Sequence, residues 1–136
     1  MSETPARSPL WLRNAAIGVG VVILFWLPIE DTQINTVTFL ALLIAAFGAA
    51  RATYKRRASK LHAGLRAVLI GLLAGASATP IALLLIALKT GIHSHGAPDF
   101  TLTQINSLIQ RTPYFTIGGL LIALGCAVWM YNRDNR

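Results

Sequence analysis

Four apolar runs separated by short polar segments dominate the chain, and each is about as long as a helix needs to cross a bilayer. A hydrocarbon core about 30 Å thick takes roughly 17–25 predominantly apolar residues at the helical rise. The first run covers about 10–28 and contains "LWLRNAAIGVGVVILFWL". Its unbroken apolar part begins at Ala15, so Arg13 must reach back to the headgroups along its aliphatic stem. The second run, 34–50, stops at Arg51, and the third, 67–88, is the longest and cleanest. The fourth, 113–131, opens on Pro113, a residue suited to a first helical turn. Trp11, Trp26, Tyr114, Trp129 and Tyr131 fall near the ends of these runs, where interfacial aromatics are expected. The pattern predicts an all-α integral membrane protein of four transmembrane helices in a single domain. Arg7 and Arg13 precede the first run as basic residues precede a secretory signal. However, "FWLPIED" offers no small-x-small cleavage site, so the run reads as a retained anchor.

Within the segment 89–112 the periodicity changes. Leu102, Ile105, Leu108 and Ile109 recur at helical spacing among the polar Thr103, Gln104, Ser107 and Gln110. Thr101 and Gln104 match the capping box S/T-x-x-E/Q just ahead of them. A short amphipathic helix over about 102–111 is predicted, lying on the membrane surface or across the helix ends. Arg111 closes it where a cation complements the helix dipole.

Charge fixes the threading. The loop 51–66 holds Arg51, Lys55, Arg56, Arg57, Lys60 and Arg66 with no acid, and Arg7, Arg13, Arg133 and Arg136 belong to the same side. The opposite side has Lys89 and Arg111 with Glu30, Asp31 and Asp99. The positive-inside rule therefore expects both termini and the basic loop in the cytoplasm and the amphipathic helix outside, in a bacterial plasma membrane. Composition agrees: 54% of residues are hydrophobic and 12% charged, about half the charged share of a soluble domain. The net charge of +7 is then a topology determinant and an anionic-lipid contact. Nucleic acid is not an expected partner, because the basic loop offers only Tyr54 for stacking.

The spans contain no ionisable side chain beyond Arg13 at an edge, and no nucleophile–base set or His-Glu-x-x-His motif. Proton-coupled transport and enzymatic activity are not expected. What the spans do contain is small residues. Gly71 and Gly75 form a GxxxG pair that Thr79 extends by four, and Gly118 and Gly119 lie in the fourth run. Such residues let helix backbones approach closely in lipid, so these five form the expected helix-packing interface, within this chain or with a partner's helix. Pro80 removes a hydrogen bond to the carbonyl of Ala76 and predicts a kink, with Ser77 or Thr79 to satisfy the freed groups.

The chemically densest stretch is "KTGIHSHGAPDFTLTQ", 89–104. His93, His95 and Asp99 could ligate zinc or copper if the turn at "GAPD" folds the chain back, although surface or partner-contact histidines fit as well. No cofactor is expected beyond such an ion, and His62 lies across the membrane. Asp99 is expected to cap the turn or the amphipathic helix. The sequence thus favours a non-catalytic structural, accessory or assembly subunit of a larger membrane complex, with anionic lipids and other transmembrane subunits as partners. The alternative is a small homo-oligomeric transporter or channel that captures a metal ion or solute at His93 and His95.

Overall fold

The computed structural model describes residues 9–55, 63–93 and 99–134. Among them are five helices: α1 (Leu10–Trp26), α2 (Ile34–Lys55), α3 (Ala63–His93), α4 (Leu102–Gln110) and α5 (Thr112–Asp134). Three helical stretches are long and apolar enough to cross a membrane: Ile34–Thr53, Gly64–Ile92 and Leu102–Trp129. The last takes in α4, but the 23 residues of α5 suffice by themselves.

Element boundaries depart from the expected spans for identifiable reasons. α1 stops at Trp26, two residues short of 28, because Pro28 has no N–H to continue the ladder. At 17 residues it is about 26 Å long, the lower limit for a span. α2 runs five residues into the expected basic loop and α3 begins four residues before its apolar run. The apolar stretch marks where a helix meets lipid, whereas the backbone continues in helix as far as its residues allow, and Arg and Lys are good helix formers. The same reasoning carries α3 past Leu88, through Lys89, to His93. α3 is unbroken at Pro80, which is exposed. Neither expected rescuer turns toward the Ala76 carbonyl: Ser77 donates its hydroxyl to Ala74 O (2.9 Å) and Thr79 bonds Thr112.

α3 is the centre of the arrangement. α2 packs along one side of it and α5 along the other, while α2 and α5 do not approach each other. α1 touches only α2 at the backbone level. The helices therefore form an open layer, with α4 across one end. Most large apolar side chains face outward, consistent with helices apolar enough to cross a membrane. The buried cluster sits at the α4 end, where Val37, Leu40 and Ala41 of α2 meet Ala82, Leu85 and Ile86 of α3 beneath Phe100 and Leu108.

The α3–α5 pair is held by glycine. A Cβ at Gly71 would collide with the Ala123 side chain and the Gly119 carbonyl. One at Gly75 would strike the Phe115 carbonyl and lie 2.8 Å from Thr116 Cα, and one at Gly119 would strike the Gly71 carbonyl. The antiparallel register continues to Thr79 and Thr112, whose hydroxyls are 2.8 Å apart. Thr112 Oγ1 also donates to Ile109 O (2.7 Å), the carbonyl that Pro113 cannot bond, so Thr79 is the donor between the two hydroxyls. Gly118 stands apart from the rest of the expected interface: a Cβ there meets nothing within 4 Å.

Gly75→Ala should separate α3 from α5 at a cost of about 3 kcal/mol, the upper part of the overpacking range, read as a shift in detergent-denaturation midpoint. Gly18→Ala, where a Cβ meets nothing, should leave that midpoint unchanged or slightly raised.

Candidate functional site

The densest polar geometry lies at the α4 end, around a residue that the charge pattern assigns to a loop. Lys89 is fully buried in the last two turns of α3. Its position follows from register: Ala82, Leu85, Ile86 and Lys89 lie at i, i+3, i+4 and i+7, so the lysine continues the core face. An ammonium out of water needs hydrogen-bond and electrostatic partners. Nζ donates to the carbonyl of Ile29 in the α1–α2 turn and sits 4.2 Å from the centroid of the Trp26 ring. A desolvated cation over tryptophan contributes about 2 kcal/mol.

Trp26 is accordingly not an interfacial anchor but a buried platform at the end of α1. Its indole Nε1 donates to Asp31 Oδ2 (3.2 Å), and Asp31 Oδ1 accepts the N–H of Gln33 (2.9 Å) in an Asx turn that leads into α2. The Gln33 amide holds the Asp31 carboxyl below its ordinary value against the opposing effect of burial, with further help from Thr36, Trp26 and the Lys89 charge. One lysine thus joins the end of α3 to both the end of α1 and the turn before α2.

α4 closes this end from outside. It covers Leu102–Gln110, one residue short of the expected range, and the capping box is formed. Thr101 Oγ1 accepts the Gln104 N–H (3.2 Å) while Gln104 Oε1 accepts the Thr101 N–H (2.8 Å). The other end of the same amide, Nε2, donates to Thr32 O (3.1 Å), tying α4 to the α1–α2 turn. Arg111 is the C-cap, and its Nη1 reaches Asn35 Oδ1 at 3.4 Å. The cap of α4 is therefore Thr101 rather than Asp99, which is half-buried with a buried Oδ2 beside the fully enclosed Phe100.

The other expected site residues fall as follows. The side chain of His93 and all of His95 lie outside the described residues, and no group of three His, Cys, Asp or Glu that could hold a metal occurs among those described. Gly71, Gly75, Thr79 and Gly119 line the α3–α5 seam. Of the anionic-lipid set, Arg51 is exposed and Arg66 half-buried, and Lys55 is the last residue of α2. Arg56, Arg57 and Lys60 lie outside the described residues. The cluster of Lys89, Trp26 and Asp31 escapes motif reading because no chemistry-bearing spacing links the three. The signal that could have found it is the register of Lys89 on the apolar face of α3. No protein-family model, curated protein or solved structure matches the chain.

Lys89→Met should lower stability by about 2 kcal/mol through loss of a charge-assisted hydrogen bond, read by denaturant titration in detergent. Because the Asp31 carboxyl is lowered in the folded chain from its ordinary 3.8, its contribution is complete above that pH. It disappears as pH falls through the lower folded value. Stability curves from pH 6 to about 2 should therefore show an acid limb that Asp31→Asn reduces.

Proposed function

We propose that the protein is a four-span integral membrane protein, with both termini cytoplasmic, that serves as a non-catalytic structural or accessory subunit of a larger membrane complex. The basic residues support the orientation: α2 and α3 meet the loop 51–66 at one end, and α4 caps the other. α1 completes the fourth crossing at its minimum length, with Arg13 at the headgroups. A bacterial plasma membrane suits this charge distribution.

The observation that carries the subunit reading is a second row of glycine on α5. Gly119 is sealed against α3, but Gly118 and Gly125, seven residues apart and so on one helix face, each leave open space where a Cβ would stand. Exposed Leu121 and Ile122 lie between them. Glycine inside a helix is unfavourable unless close approach uses it, and among the described residues nothing lies within 4 Å of a Cβ at either position. A partner's transmembrane helix against this face would make use of both positions. The capture of a metal ion or solute at His93 and His95 gains no support from the described residues.

Native mass spectrometry after extraction in mild detergent should show the chain within a heteromeric complex. A lone monomer or homo-oligomer under all mild conditions overturns the reading. Gly118→Leu with Gly125→Leu should release the partner while helicity and denaturation midpoint stay as in the wild type. Orientation is read in intact cells after Cys126→Ser. A membrane-impermeant maleimide should label Thr32→Cys and spare Thr53→Cys.

A further inference from the structure

The seam between α3 and α5 sets the relative height of the two helices as well as their spacing. Gly71 meets Gly119 and Ala123, Gly75 meets Phe115 and Thr116, and Thr79 meets Thr112. α5 therefore starts level with Thr79, well inside α3 and far from its end at His93. The apolar run of α3, 67–88, is about 33 Å long at the helical rise, close to the thickness of a hydrocarbon core. Thr79 lies about 14 Å short of Leu88 by the same rise. The start of α5 thus falls near the middle of the stretch that α3 offers to hydrocarbon.

α4 occupies the space that this low start leaves, and it crosses the end of the layer obliquely. At its upper end Gln104 donates to Thr32 O, in the turn whose Ile29 carbonyl meets Lys89. At its lower end Ile109 O accepts from Thr112 Oγ1 beside Thr79. Leu108 turns inward and is fully buried. Thr103, Asn106 and Gln110, at i, i+3 and i+7, turn outward and are exposed, and exposed Arg111 follows them. A strip of polar groups therefore descends from the level of Lys89 to that of Thr79. Asn35 Oδ1, at 3.4 Å, takes one of the five N–H groups of the Arg111 guanidinium. The opposite side of α3 has another character. Leu84 and Leu88 are exposed there, although both lie nearer the His93 end than Thr79 does. Leu84 is two residues on from buried Ala82, about 200° round the helix. Hydrocarbon suits those leucines, but amides and a guanidinium at greater depth are costly without water.

We propose that α4 and the start of α5 hold a water-filled recess in the leaflet on the α4 side. Its floor is Thr79 with Thr112, and its wall is the strip of Thr103, Asn106 and Gln110. Water there hydrates the strip and the guanidinium, and lipid headgroups follow it down. Between Thr79 and Ala67 about 18 Å of apolar helix remains, so the bilayer is thin beside α5 and keeps its full thickness against Leu84 and Leu88. The recess rests on α3 crossing a membrane. It depends neither on the subunit reading nor on which side faces the cytoplasm.

The test is spin-label accessibility on the full chain in lipid vesicles, with oxygen as the probe of hydrocarbon and a neutral nickel chelate as the probe of water. Labels are attached at Gln110→Cys, Asn106→Cys and Leu84→Cys in the Cys126→Ser background. All three parent side chains are exposed, and circular dichroism checks that each labelled protein folds. The nickel-to-oxygen accessibility ratio at Gln110 and Asn106 should exceed that at Leu84 by about tenfold or more, because hydrocarbon excludes a polar chelate. Ratios at Gln110 and Asn106 equal to a low value at Leu84 would show lipid against the strip and overturn the recess. Labels there that neither probe reaches would show a protein partner, which overturns it too. Nickel access at all three positions would place the Leu84 half of α3 in water. The recess then fails together with the spanning of α3, whereas the two preceding outcomes leave that spanning intact.

Discussion

The approach of α3 to α5 is the constraint on which the rest of the structure depends. Between helices in lipid the hydrophobic effect supplies no attraction, because acyl chains are as apolar as leucine. Close van der Waals contact must do the work, and it requires the missing Cβ atoms of Gly71, Gly75 and Gly119. The seam ends on a polar link in which Thr79 donates to Thr112 and Thr112 donates to Ile109 O. That link serves two helices at once. It satisfies the carbonyl left by Pro113 at the start of α5 and fixes the register of α5 against α3.

With α5 fixed on one side of α3, the lysine near the end of α3 organises the remainder. Lys89 is too deep for its ammonium to reach water, so the chain brings polar groups to it. The Ile29 carbonyl and the Trp26 ring come from the turn and helix that precede α2, and Asp31 holds Trp26 in place. The backbone of α1 approaches only α2, while Ile23, Trp26 and Leu27 pack against the buried cluster. The buried cation adds a polar tie from α1 and the α1–α2 turn to α3. Gln104 extends the same economy to α4, with one amide forming its helix cap and its link to Thr32.

Much of this was legible in the sequence, and the reasons differ by element. The apolar runs located the long helices because their period-free hydrophobicity is the direct signature of lipid contact. The α4 helix was legible from Thr101, Gln104 and the spacing of Leu102, Ile105 and Leu108, because capping chemistry and amphipathic period are both local. Helix ends were not legible, since Lys55, Ala63 and His93 lie beyond the apolar runs that were read. The role of Lys89 was hidden for a stronger reason. Hydropathy treats every lysine as a group seeking water, and only the three-dimensional meeting of Trp26, Ile29 and α3 makes burial tolerable. Gly118 and Gly119 illustrate the same limit on a small scale. Adjacent in sequence and identical in type, they differ by the rotation of one residue about α5, which puts one against α3 and the other in open space.

That rotation also gives a chain this short several distinct surfaces. A helix in a closed bundle exposes one outward strip, but among the described residues α2 approaches only α3, α1 and the short α4, and α5 only α3 and α4. Each therefore retains most of its circumference. On α5 the retained face carries Gly118 and Gly125 with exposed Leu121 and Ile122 between them. On α2 the small residues Gly48 and Ala52 instead confront α3 across an apolar gap. Small residues thus have three different consequences here, set by what stands opposite them: backbone contact at Gly75, an open flank at Gly118, and a groove at Gly48.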